Sequence, residues 1–179
     1  MTLTPGLRKL MVTAHVTFAV GWLGAVAGFL VLAITGLSSQ DTQLVRSSYL
    51  AMDVIARFLI VPLSFAPLIT GPILSLGTPW GLFRHYWILI KLIITILSTI
   101  IMQLHIQPIN MLASAAAKMT FSGANLHEMQ VQMVVASAIA LLALLVEIAL
   151  AVYKPRGMTA YGWRKQYAER IADVNGKRI

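Results

Sequence analysis

Four histidines, His15, His85, His105 and His127, carry most of the chemistry open to this sequence. Neutral imidazole is the commonest biological metal ligand and an axial ligand of haem iron. No cysteine is present. Disulfides, thiolate zinc sites, iron–sulfur clusters and covalently attached haem are therefore excluded. Met52, Met102, Met111, Met119, Met129 and Met133 fall near the end that carries His105 and His127. Thioether with imidazole suits Cu(I), although methionine is also an ordinary filler of apolar helices. Lys91 and Glu147 stand inside apolar runs, and Asp53 and Arg57 are spaced as a helical ion pair. No nucleophile motif, phosphate loop or HExxH occurs, which argues against hydrolase and nucleotide chemistry.

These residues are positioned by very apolar segments. The 179-residue chain is 58% hydrophobic and 11% charged, with a mean hydropathy of +0.79. Soluble domains carry roughly 25% charged residues. So little charge cannot cover a water-facing surface, which excludes a soluble globular enzyme, a disordered chain and a coiled coil. Four continuous runs match the ~20 residues a membrane helix needs: 11–37, 50–76, 82–106 and 131–152. Their continuity indicates helices rather than strands. The first run is too long for the core of a signal peptide. The expected fold is an all-α, four-helix transmembrane bundle over residues 1–153, with a basic amphipathic tail over 154–179.

Basic residues set the expected orientation. Arg8, Lys9, Arg84, Lys154, Arg156, Arg164, Lys165, Arg170, Lys177 and Arg178 gather on one side, against Arg46 and Lys118 in loops of the other. Positive-inside places both termini in the cytoplasm. The net charge of +8 is mostly this asymmetry, so no nucleic-acid partner is implied. Tyr161, Trp163, Tyr167 and Ile171 suit a short helix on the inner leaflet. Asn125 and Glu128 read as a capping box that starts helix four near Leu126. Pro108 is expected just after span three, and Pro62, Pro67 and Pro72 to kink span two. Gly24 and Gly28 form a GxxxG pair that allows close helix packing, a flat cofactor against the glycine face or, in a cofactor-free subunit, contact with a partner. A second copy of the chain, in a homo-oligomer, is among the expected partners.

Ionisable groups in a bilayer cost roughly 2.5–3.5 kcal/mol each on insertion scales, so each is a functional candidate. His15, Lys91 and Glu147 lie six or seven residues inward from Lys9, Arg84 and Lys154. All three thus sit at similar depth, and Lys91 with Glu147 reads as an intramembrane ion pair. His15 on span one and His85 on span three are diagonal in an up-down bundle, where a planar cofactor fits. Phe18 and Trp22 share the His15 face and would line the ring. Arg57 could pair with a propionate. His105 lies about 30 Å along the helix from His85, so one haem cannot use both.

The stretches Ala14-His15 and Trp22-Leu23-Gly24, with His85-Tyr86-Trp87-Ile88-Leu89-Ile90-Lys91-Leu92, resemble small four-span bacterial membrane proteins. These include CopD-like copper-resistance domains and an uncharacterised four-helix family. More distantly the layout is similar to haem-b cytochromes of the b561 type. That resemblance implies one haem b or two held by histidines, His15 first, with electron transfer to a quinone or another redox partner. A copper-binding protein using His105, His127 and outer methionines is the alternative, and a cofactor-free accessory subunit is the third.

Overall fold

A computed structural model describes residues 3–78, 81–119 and 124–176, the side chains of 124–125 and 173–176 excepted. The chain is helical in all its named elements. Helix α1 is Pro5–Ser38, α2 Thr42–Ile55, α3 Val61–Leu76, α4 Tyr86–Ala117, α5 Ala124–Tyr153 and α6 Ala160–Gly176. A π-helical turn, Ala56–Ile60, joins α2 to α3, so Thr42–Leu76 is one continuous rod. Four helices are long and apolar enough to cross a membrane, and the chain is an integral membrane protein.

Each rod extends beyond its apolar run. The membrane requires only the apolar part, and polar ends continue the helix until a local signal stops it. Asp41 supplies one such signal, its carboxylate accepting from the N–H groups of Gln43 (2.9 Å) and Leu44 (3.4 Å) to start α2. Helix α5 begins at Ala124, slightly ahead of the expected start. The side chain of Asn125, like Lys177 and Arg178, lies outside the described residues.

The prolines correct one expectation. Pro108 lies inside α4 rather than after it, and the helix runs on to Ala117. In span two, Pro62 stands at the start of α3, directly after the π turn, and Pro67 and Pro72 lie within α3. A proline removes an N–H and crowds the carbonyl four residues earlier. The wider π turn next to Pro62 absorbs part of that misfit.

The helices close a ring. Helix α1 packs on α5 and on both halves of span two, and α4 packs on the same two rods. Among the described residues α1 and α4 are diagonal, as are span two and α5. The half of the bundle away from the termini holds most of the buried core. Its core is Phe29, Ala33, Tyr49, Met52, Ala56, Ile60, Ile109, Leu112, Ala116 and Met133. Gly24 and Gly28 take no part in this packing. Both face outward, and a Cβ placed on either meets nothing within 4 Å. The GxxxG pair is therefore not spent on helix contacts within the chain.

The tail forms a helix held at one point. The Thr159 hydroxyl donates to the Phe83 carbonyl (2.5 Å) and accepts from the Gly162 N–H (3.0 Å), capping α6. The Thr159 N–H donates to the Arg84 carbonyl at 3.0 Å, and Arg84 pairs with Glu169 at 2.6 Å. A Cβ on Gly162 would collide with that same Arg84 carbonyl oxygen. Backbone cannot yield as a flexible side chain does. Gly162→Ala is therefore expected to release α6, read as several-fold faster tryptic cleavage near Arg164 and Lys165. Gly157→Ala, whose Cβ would sit 3.7 Å from the Tyr86 ring, is the control that leaves cleavage unchanged. Equal rates in the two variants would refute the docking. Tyr161, Trp163, Tyr167 and Ile171 are all exposed on α6.

Candidate binding cavity at the basic end

At the end that holds the basic residues, the rods do not meet in the middle. A cavity of about 650 Å³ remains between α1, α3, α4 and α5. That volume falls within the range of small-molecule sites, roughly 300–1,000 Å³. Most of its wall is apolar, with Val12, Val16, Leu92 and Ile148 as examples. Into it come His15 from α1, Lys91 from α4 and Glu147 from α5. The three lie at similar depth, as their spacing from the flanking basic residues implies. Arg8 and Lys154 line the outer part, and Trp22 and Leu144 the inner part.

The hydrogen bonds define what each group can still do. The Thr70 hydroxyl donates its one proton to the Ala66 carbonyl at 2.7 Å. While that proton stays on Ala66, the 2.7 Å contact with His15 Nδ1 is donated by the imidazole. In that Nδ1–H tautomer Nε2 is a lone-pair acceptor. The Thr95 hydroxyl faces two acceptors, the Lys91 carbonyl at 2.8 Å and Glu147 Oε1 at 3.0 Å. One proton shared between two oxygens leaves the Glu147 carboxylate short of donors. Lys91 is near enough for its charge to act on both Glu147 and His15. Glu147 accepts its hydrogen bond from Thr95, while Lys91 acts on it through its charge. The indole N–H of Trp22 is buried without an acceptor, on a residue only 3% exposed.

The other candidate residues go elsewhere. His85 immediately precedes α4 and is tied to the tail by an antiparallel bridge to Met158. Its ring lies 6.4 Å from that of Trp87, and it is not part of the cavity wall. Of the two histidines, His15 alone lines the cavity. Phe18 is half-buried but does not line the cavity, whereas Trp22 does. His105 Nδ1 donates to the Ile101 carbonyl at 2.8 Å, and His127 is exposed in the first turn of α5. Arg57 pairs with Asp53 at 2.8 Å and also donates to Asn110 of α4. It braces α2 against α4, far from the cavity.

The methionines do not form an array either. Met52 and Met133 are buried in the core, while Met111 and Met119 are exposed. Among the described residues no three His, Asp or Glu side chains group closely enough to hold a metal ion. Thr70 and Thr95 were not legible as site residues. Thr95 carried a weak signal, four residues beyond Lys91 and so on its helix face. Thr70 carried none, because its partner is 55 residues away. No family model, curated protein or solved structure matches the chain.

Proposed function

We propose that this membrane protein binds an amphiphilic small molecule in the cavity at its basic end. The supporting observation is the convergence of His15, Lys91 and Glu147 inside apolar walls. Such groups are expensive in a membrane, and a site that must hold a polar head beside a greasy body accounts for all three. His15 and Glu147 offer acceptors, while Lys91 offers donors. The positive-inside rule puts this end in the cytoplasm, so the ligand would come from the inner leaflet.

Trp22 reports on the site. With Trp80, Trp87 and Trp163 replaced by Phe, a bromine-labelled long-chain alcohol is expected to quench Trp22 saturably in nanodiscs. His15→Ala with Glu147→Gln is expected to weaken that binding about tenfold, or ~1.4 kcal/mol. Quenching that never saturates and ignores both substitutions rejects the site.

A redox reading is favoured by one observation, the hydrogen bond between His15 Nδ1 and Thr70. Ligating histidines commonly donate the other ring N–H to a neighbour, as His15 in its Nδ1–H tautomer does to Thr70. In that tautomer His15 Nε2 is available to the iron of a haem b, which would supply one-electron transfer. Protein expressed with added haem is then expected to show a Soret band that shifts on reduction and is lost in His15→Ala. A colourless protein rejects this reading and leaves the amphiphile site intact.

A further inference from the structure

We infer that the ligand enters this cavity sideways from the bilayer, through the seam between α1 and α5. It lodges with an uncharged, hydrogen-bonding head beside Lys91 and Glu147, its single hydrocarbon chain left in the seam. The inference rests on the binding reading above and adds the route, the direction and the head chemistry.

The wall is not equally closed on all sides. Every wall residue supplied by α3 and α4 is buried or half-buried. Val12, Val16 and Val20 of α1 and Val152 of α5 also line the cavity, yet they are between 45% and 70% exposed. One flank of α1 is occupied by α3, where His15 bonds Thr70 and a Cβ on Gly21 would touch Leu63. The three valines recur every fourth residue and so form one stripe, on the flank toward the other neighbour of α1, which is α5. They cover eight residues, about 12 Å along the rod, and His15 lies within that stretch. The gap therefore opens on acyl chains. Inward of Trp22 the buried core closes the bundle, so a chain whose head sits at Lys91 leaves sideways.

The polar groups at that level call for both halves of a hydrogen bond. Glu147 shares the single Thr95 proton with the Lys91 carbonyl and can accept from a further donor. Lys91 supplies donors of its own. A hydroxyl or a primary amide answers both. A carboxylate would attract Lys91 and repel Glu147, and an ammonium the reverse. Arg8 and Lys154 line the cavity seven residues further out than His15 and Glu147.

The Trp22-only chain in nanodiscs tests this with long-chain primary alcohols brominated either near the hydroxyl or at the chain end. The near-head label is expected to quench Trp22 severalfold more strongly at saturation. Val16→Phe with Val20→Phe narrows the seam and is expected to weaken binding about tenfold. Ile93→Phe with Leu97→Phe, on α4 and outside the cavity wall, is expected to leave binding unchanged. All four residues are exposed, so the core is untouched. The methyl ether, carboxylate and amine of equal chain length are each expected to bind about tenfold more weakly than the alcohol. Stronger quenching from the chain end overturns the direction. Equal effects of the two phenylalanine pairs overturn the route. Any of the three other heads binding as tightly as the alcohol overturns the head chemistry. Each of these results leaves the cavity reading standing, whereas failure of every probe to bind removes both readings.

Discussion

Glu147→Ala is expected to lower the stability of the bundle by about 3 kcal/mol, and Lys91→Met in the same chain to return most of the loss. Glu147 is 8% exposed, holds a hydrogen bond from Thr95, and lies within electrostatic reach of Lys91. Removing it leaves an ammonium within a membrane span without its counter-charge. Charged groups at the centre of a span cost roughly 2.5–3.5 kcal/mol on insertion scales. Lys91 can recover some of that by extending toward the mouth, which limits the loss. Replacing it with methionine removes the charge and keeps the length. Reversible unfolding in mixed micelles, on the two single variants and the double, measures the coupling. If the double variant is as unstable as the sum of the singles, the two charges do not act on each other. Glu147→Gln, which keeps an oxygen for Thr95, is expected to cost less than Glu147→Ala.

The second large effect is at the opposite end, where α1 turns into α2. Gly36→Ala is expected to destabilise the protein by about 2–3 kcal/mol, in the range of overpacked cores. A Cβ there would stand 2.6 Å from Cζ and 2.9 Å from the hydroxyl oxygen of Tyr49. Tyr49 is 1% exposed, so the ring has nowhere to move. Removing the hydroxyl does not cure the clash, because Cζ remains. Tyr49→Phe is accordingly expected to leave Gly36→Ala unstable, whereas the shorter Tyr49→Leu relieves it. If Tyr49→Phe rescues as well as Tyr49→Leu, the contact is with the hydroxyl alone and the packing account is wrong.

The two sites show how differently sequence and packing inform. The ionisable ring at the basic end was legible from chain positions, because depth in a helix follows from counting residues. The Asp53–Arg57 pair was legible for the same kind of reason, since four residues make one helical turn. Tyr49 on Gly36 was not legible. That contact depends on how two helices are rotated about their axes, and spans flanked by lipid carry little periodic polarity to reveal it. The same gap hid that Gly24 and Gly28 face outward and that the fold divides the methionines between core and surface.

His85 marks the boundary most clearly. Its depth was readable, and so was the diagonal relation of α1 and α4. Its exclusion from the cavity came from an antiparallel bridge to Met158, 73 residues further on, which no local pattern announces. By itself, then, the sequence determined that four helices cross a membrane and which ionisable side chains lie at which level, because hydrocarbon thickness and helical rise depend only on the run of residues. Tertiary structure alone decided which of them meet. It left a hollow between diagonal rods at the basic end, turned His15, Lys91 and Glu147 toward it and kept His85 out, because helix rotation and the docking of distant segments are settled by packing across the whole bundle.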